Sequence, residues 1–466
     1  FSLGSTTFQS KVLERLYCWR FIVTLICSNA CKALSGSITV PGDKSISHRA
    51  LMIGTLAVGE TVIEGLLEGE DVMATLQAMR QLGAEIVKGE DPKDQLWHIH
   101  GRGIGGLVEP DNILDLGNSG TAARLITGLI SSHDITATIV GDASLNSRPM
   151  KRVLEPLKKI GAQFFTREGD KLPITIKGTN QALPSEITME IASAQVKSSI
   201  LFAGLNAAGH TVVIEPTPSR DHTEKMLSHF GAEIMTEKTT DGFRKITLVG
   251  QPELTGRKVI IPGDISSAAF IIVGALITPG SDVEIKNVGI NPLRTGLLDC
   301  LKEMGADLKI LKVRENAGEK IADIKIKYKR LKGITVPKSR APSMIDEYPI
   351  LSIAASVAEG VSVFNGVEEL RVKESDRLTA MAEGLRACGI GTKMTEDSLT
   401  ITGKGGSPDG GTLIKSQLDH RIAMSFLVMG LISKKSISVD DAQPIETSFP
   451  GFIHFMNQLG ANMELS

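Results

Sequence analysis

The sequence predicts a mixed α/β protein of two domains, on three observations. At 466 residues the chain is longer than one hydrophobic core commonly fills. One phrase recurs along it: an amphipathic helical run ending on an apolar residue, then Gly and usually Ala, then a short strand-like run. It occurs at Leu82-Gly83-Ala84, Ile160-Gly161-Ala162, Phe230-Gly231-Ala232, Met304-Gly305-Ala306, Cys388-Gly389-Ile390 and Leu459-Gly460-Ala461. The glycines fall roughly 70 to 84 residues apart, too long a period for a solenoid and suited to a small βα unit, so six units make three per domain. Strand signals recur between the helices, as at Thr211 to Ile214 and Val283 to Ile285.

Each unit has a local reason. The helix before the glycine carries apolar residues at core-facing spacing, Val72, Leu76 and Met79 in the first unit and Leu378, Met381 and Leu385 in the fifth. The glycine then takes the left-handed turn that ends a helix and releases the chain as a strand. Residues 1–32 break the pattern. They begin at Phe1 and hold Cys18, Cys27 and Cys31 around an apolar run, Phe21 to Cys27, that is too short to span a bilayer. No clear small-residue cleavage site follows the run, which leaves a targeting segment as one open reading. The segment is expected to be an extension outside the fold.

Bulk properties exclude several classes. A net charge of -2, a pI of about 6.6 and 4 % aromatics supply neither the basic field nor the stacking platforms of nucleic-acid binding. The five cysteines form neither a CxxC pair nor a His-interleaved zinc pattern, which points to a reducing compartment and no structural metal. No stretch reads as membrane-spanning. Any anion site must therefore be built locally from converging Arg and Lys side chains.

Six segments offer such chemistry. PGDKSISHR, Pro41 to Arg49, places cations and hydroxyls at the start of an apolar helix, with Ser45 and Arg49 four apart on one face. LGNSGTAAR, Leu116 to Arg124, sets Gly117 and Gly120 around small polar residues, so a ligand can approach the backbone. GDASLNSRPM puts Arg148 before a proline that restricts its backbone. In the second half, APSMIDEYP carries Asp346 and Glu347, RVKESDR opens a helix with Arg371, Lys373, Glu374, Asp376 and Arg377, and DHRIAMSF sets Asp419, His420 and Arg421 against an apolar helix. Taken singly, each segment also reads as a capped helix with solvated or salt-bridged charges. Titratable groups against so apolar a run as the last point instead to a cleft-lining site.

These motifs, with SAQVKSS and RDHTEKM between them and in this order, closely resemble the 5-enolpyruvylshikimate-3-phosphate synthases, and most of all the bacterial branch known as class II. The resemblance spans Leu34 to Ser466. It implies two domains of three βαβαββ units in an inside-out α/β barrel, with the chain crossing between them near Gly42 and Gly263. One domain is then 43–262, the other 33–42 with 263–466.

The implied reaction transfers the enolpyruvyl group of phosphoenolpyruvate to the 5-hydroxyl of shikimate 3-phosphate through a tetrahedral intermediate and releases phosphate. By the same resemblance, Lys44, Arg148, Gln195, Arg377 and Arg421 clamp phosphoenolpyruvate, with Gly120 in close contact. Lys44, Ser45, Arg49, Ser193, Ala194, Gln195, Arg220, Asp346 and Lys373 hold shikimate 3-phosphate. Asp346 takes the hydroxyl proton, Glu374 handles the proton at the enol methylene, and Lys44 assists. No metal or cofactor is implied, and a cytoplasmic monomer acting on small molecules is expected.

Two departures stand out. Ser193-Ala194-Gln195 has alanine where many members have a second serine, and Thr447 stands where class I enzymes carry a lysine. The sister enzymes that use UDP-N-acetylglucosamine carry a reactive cysteine before an Arg-Pro pair, and Gly141 to Pro149 contains none. A non-catalytic scaffold of this fold would lack Asp346, Glu374 or one of the arginines, and all are present. In this family glyphosate competes with phosphoenolpyruvate, and tolerant class II members carry alanine where this chain has Gly120, so sensitivity is expected here.

Overall fold

The computed structural model of the chain describes residues 25–90, 96–441 and 443–465, and its named strands fall into six four-stranded sheets. The repeating unit is seen whole between Thr335 and Lys404. Strand Thr335–Val336, helix Tyr348–Val357 and strand Glu359–Asn365 make a parallel crossover, then helix Arg377–Ala387 leads to the hairpin Gly391–Met394 with Ser398–Lys404. The last strand pairs antiparallel between the second and third. A crossover needs a helix to return the chain in the same direction, whereas the hairpin reverses it directly. The expected turn glycines, Gly83, Gly161, Gly231, Gly305, Gly389 and Gly460, all have φ between 80° and 121°.

Three sheets take a strand from elsewhere in the chain. Lys258–Ile260 pairs parallel with Glu60–Glu64, because the chain enters that unit directly at a helix. Ser35–Thr39 pairs instead with Asp282–Gly289. In the last sheet, Ile26–Asn29 lies between Ile437–Val439 and Asn462–Leu465, antiparallel to both. This corrects the expectation that residues 1–32 lie outside the fold. Ile26 and Ser28 are buried on one face of that strand, and Cys27 Sγ sits 3.0 Å from Ser438 Oγ, 411 residues along the chain. Residues 1–24, with Cys18 and the start of the apolar run, lie outside the described residues.

Buried apolar side chains form two separate groups, one between Ile46 and Ile261, the other combining Ile26 to Val40 with Ile265 to Met463. The chain passes between them at Gly42 and Gly263, which bridge antiparallel. A Cβ on Gly42 would stand 2.1 Å from the Gly65 carbonyl oxygen, so only glycine permits that approach. Each group encloses three helices: α1 (Lys44–Leu56), α2 (Gly120–Ser131) and α3 (Ala194–Gly204) in the first half, α4 (Ile265–Ile277), α5 (Tyr348–Val357) and α6 (His420–Gly430) in the second. Every residue of α4 is buried, as a helix that is apolar all round requires. Among the described residues no helix is long and apolar enough to cross a membrane.

Candidate active site

Every enclosed helix except α4 begins at a polar segment singled out in the sequence. Asp43 caps α1 by accepting from the Ile46 N–H at 2.9 Å, Ser119 caps α2 from Ala122 at 3.2 Å, and Ser193 caps α3 from Val196 at 3.4 Å. In the second half, Asp264 caps α4 from Ser266 at 2.8 Å and Asp419 caps α6 from Arg421 at 2.9 Å. Each cap satisfies one N–H, leaving a positive helix end that favours anions.

In the first half Arg49 and Arg148 meet neutral oxygens. Arg49 is buried and donates to the Ser45 carbonyl at 2.8 Å and to Thr223 Oγ1 and Ser198 Oγ at 2.7 Å. Burial pushes its pKa down to about 10. Arg148 donates to Asn118 Oδ1 at 2.8 Å and Ser144 Oγ at 3.0 Å. Gln195 donates to Thr121 Oγ1 at 3.0 Å, joining α3 to α2. Half-buried Ser193 and Ala194 open α3, and Lys44, at the start of α1, is ion-paired with Asp71.

Sequence reasoning missed Arg124. It donates to the Gly120 carbonyl at 2.9 Å, and burial with the neighbouring Arg148 pushes its pKa down to about 10. A Cβ on Gly120 would stand 2.7 Å from Arg124 Nη1 and 3.2 Å from Arg148 Nη1, so Gly120 faces both guanidinium groups. The signal was available, since Arg124 follows Gly120 by the same four-residue step that joins Arg49 to Ser45.

In the second half the groups are already paired. Asp346 accepts from Arg220 Nη2, across the two halves, at 2.6 Å, and lies 3.3 Å from Arg377 Nη1 and 3.8 Å from Lys373 Nζ. Arg421 donates to the Asp346 carbonyl oxygen at 3.0 Å. Burial alone would raise the Asp346 pKa, but Lys373, Arg220, Arg421 and Arg377 together hold it well below the ordinary carboxylate range. Glu374 lies 2.5 Å from Arg377 Nη2, and against burial Arg377, His420 and Arg148 likewise hold it down. Arg377, buried itself, donates to Asp419 Oδ2 at 2.8 Å, and Asp419, Glu374 and Asp346 outweigh its burial to push its pKa up. Burial pushes His420 down to about 4, so it is neutral at pH 7.

Arg220, Lys373, Arg377 and Arg421 thus gather around Asp346, Arg148 lies at Gly120, and Arg49 with Ser45 and Lys44 forms a separate group on α1, while Glu374 feels charges from Arg377 and Arg148. Thr447 Oγ1 donates to the Pro444 carbonyl at 2.8 Å, within its own turn. Cys300 and Cys388 are buried core residues whose thiols burial pushes up to about 11, which leaves neither as a nucleophile.

Two α/β halves joined at the Arg220–Asp346 pair, with arginines and lysines converging on acids there, suit a site for polyanionic substrates. The model of the EPSP synthase family, 3-phosphoshikimate 1-carboxyvinyltransferase, matches residues 28–456. A 3-phosphoshikimate 1-carboxyvinyltransferase of Paramagnetospirillum magneticum is 55 % identical over 430 residues, covering 92 % of this chain and 96 % of that protein. One from Parvibaculum lavamentivorans is 56 % identical over 430 residues, covering 92 % and 95 %. The structure of the EPSP synthase of Acinetobacter baumannii is 46 % identical, with a TM-score of 0.85, over 95 % of this chain and 100 % of that one. The enolpyruvyl transferase NikO of Streptomyces tendae shares the fold at 17 % identity and a TM-score of 0.75, over 95 % and 99 %. The chain belongs to the EPSP synthase family and is an enzyme of the carboxyvinyltransferase class.

Proposed function

We propose that this site transfers the enolpyruvyl group of phosphoenolpyruvate to the 5-hydroxyl of shikimate 3-phosphate and releases inorganic phosphate, a step towards chorismate and the aromatic amino acids. The observation that carries the assignment of roles is Asp346, its carboxylate held by Arg220 from one half and by Arg377 and Lys373 from the other, with Arg421 donating to its backbone carbonyl. Asp346 is the base for the 5-hydroxyl. Arg220, Lys373, Ser45, Arg49 and the Ser193-Ala194-Gln195 turn hold shikimate 3-phosphate. Lys44, Gln195, Arg148, Arg377 and Arg421 hold phosphoenolpyruvate beside Gly120, where guanidinium forks match phosphate and carboxylate oxygens.

Electrostatics supports an exchange of partners on binding. In the free site the cations stabilise Asp346 and Glu374 as anions. Substrate phosphates and carboxylate compete for those cations, so both carboxylates gain proton affinity as the site fills. Asp346 then accepts the hydroxyl proton while C2 of phosphoenolpyruvate receives the oxygen, and protonated Glu374 delivers a proton to the methylene carbon. Returning that proton to Glu374 restores the double bond and expels phosphate, which takes up the proton held by Asp346, so both carboxyl groups regain their starting states.

We further propose that residues 43–262 and 33–42 with 263–466 act as the two closing bodies, with Ile26–Asn29 assigned to the second, in a cytoplasmic monomer. The buried thiols of Cys300 and Cys388 and the supply of every named cation by one chain support that reading. A coupled phosphate-release assay tests the function: turnover is expected with shikimate 3-phosphate and not with UDP-N-acetylglucosamine, and the reverse preference refutes it.

A further inference from the structure

A buried chain of polar side chains runs from the two crossings to the site, and the roles assigned above leave it unused. Arg294 is 3 % exposed and precedes the helix Gly296–Glu303. Its Nη1 lies 3.4 Å from Asp43 Oδ2, on the cap of α1 beside Lys44. Its Nη2 lies 3.4 Å from Asp264 Oδ1, on the cap of α4, and donates to Ser266 Oγ at 2.8 Å. Ser266 Oγ in turn donates to Glu347 Oε1, which stands 3.5 Å from Arg421 Nη1. Glu347 is 1 % exposed, and its Oε2 has no hydrogen-bond partner among the described residues.

Glu347 adjoins Asp346 in sequence but its carboxylate has different partners: that of Asp346 meets Arg220, Lys373 and Arg377, whereas that of Glu347 meets Ser266 and Arg421, whose Nη1 also donates to the Asp346 backbone carbonyl. Buried charge is a poor device for stability alone, because well-packed apolar side chains often serve as well or better. It does fix direction. A carboxylate on one nitrogen of a guanidinium leaves the remaining N–H groups aimed one way, which suits a planar anion.

We propose that Arg294 and Glu347 are positioning residues for phosphoenolpyruvate: the chain Arg294, Ser266, Glu347 aims the Arg421 guanidinium, while Arg294 holds Asp43 and so the turn of α1 that carries Lys44. The inference rests on the assignment of Lys44 and Arg421 to phosphoenolpyruvate. Because Arg294 touches the cap residues next to both crossings, it sets the clamp against the junction of the halves rather than against one half alone.

Steady-state kinetics with both substrates test it on wild type, Glu347→Gln, Ser266→Ala, their double variant and Arg421→Lys. Glu347→Gln is expected to raise KM for phosphoenolpyruvate about tenfold while KM for shikimate 3-phosphate stays within about twofold. Ser266→Ala, which removes no charge, is expected to move the same constant by a smaller factor. The double variant is expected to be no worse than Glu347→Gln, since both break one chain. Equal rises in both KM values, no rise in either, or additive losses overturn the proposal. Ser266→Ala decides the matter should Glu347→Gln fail to fold. If Arg421→Lys raises KM for phosphoenolpyruvate and neither chain variant does, only this proposal fails; if Arg421→Lys leaves that constant unchanged, the assignment of Arg421 and the proposal fall together.

Discussion

The two halves repeat one structural unit, yet they hold their arginines in opposite ways. In the half built on α1 to α3, Arg49, Arg124 and Arg148 donate to hydroxyl, carbonyl and amide oxygens, and burial pushes Arg49 and Arg124 down. In the half built on α4 to α6, Arg377 is matched to Asp419, Glu374 and Asp346, and its pKa is pushed up. Arg49, Arg124 and Arg148 thus have no carboxylate partner among the described residues, although Lys44 and Lys197 of the same half are ion-paired, whereas Arg377 is held by three carboxylates. A dianion therefore gains most by entering the first half, and it engages the second by exchange with Asp346 and Glu374. The helix caps differ only in part: Ser119 and Ser193 in the first half are neutral, whereas Asp43 in that half and Asp264 and Asp419 in the second bring charge with them.

The largest expected effect separates chemistry from binding. Asp346→Ala removes the base and is expected to lower turnover by roughly 10² to 10⁴. KM for shikimate 3-phosphate is expected to rise only modestly, because the cations of the first half remain. Phosphate-release kinetics read both constants, and a loss chiefly in KM would make Asp346 a positioning residue.

A paired substitution tests the contrast itself. Arg377→Gln leaves buried Asp419 and nearby Glu374 without their main cation, and is expected to destabilise the fold by roughly 3 to 5 kcal/mol. Arg148→Gln breaks no ion pair and is expected to cost less than about 1 kcal/mol. Both are expected to damage phosphoenolpyruvate use. Urea unfolding of the two variants measures the difference, and equal losses would erase the distinction between the halves.

Acid stability gives a further handle. His48 in α1 is buried with Nδ1 2.7 Å from Thr75 Oγ1, and burial pushes its pKa down to about 3. The unfolded chain protonates this group below about pH 6.5, whereas the folded chain keeps it neutral. Stability from this group is therefore complete above about pH 6.5 and is lost as pH falls towards 3, on the order of 3 kcal/mol by pH 4. His420, held at about 4, adds a smaller loss of the same sign. His48→Gln is expected to narrow the gap between urea midpoints at pH 7 and pH 4, and an unchanged gap would contradict the assignment.

The smallest effect concerns the inhibitor. With glyphosate, wild type is expected to be sensitive, and Gly120→Ala is expected to raise the inhibition constant more than KM for phosphoenolpyruvate. The added methyl presses on Arg124 and Arg148, and the longer ligand has less room to adjust. Measuring both constants for wild type and variant decides it.

How much of this was legible in the sequence follows from the range of the interactions. The helix-Gly turns and the capping motifs are local, so the six glycines and segments such as Pro41 to Arg49 announced themselves. Ile26–Asn29 did not, because its partners lie at the far end of the chain and four extended residues carry little pattern of their own. Arg294 was illegible for a similar reason: Asp43, Asp264 and Ser266 meet it only once the chain has crossed twice. Glu347 was visible as an acid in an apolar stretch, but nothing local separates its partner Arg421 from those of Asp346.

Calorimetric titration of shikimate 3-phosphate in the absence of phosphoenolpyruvate tests the contrast between the halves most directly, with Arg49→Lys representing the arginines of the first half and Lys373→Gln the ion-paired groups of the second. The account predicts that Arg49→Lys weakens this binary complex by about tenfold or more and Lys373→Gln by less than about threefold, although both lower turnover. A binary complex weakened as much by Lys373→Gln as by Arg49→Lys would contradict it.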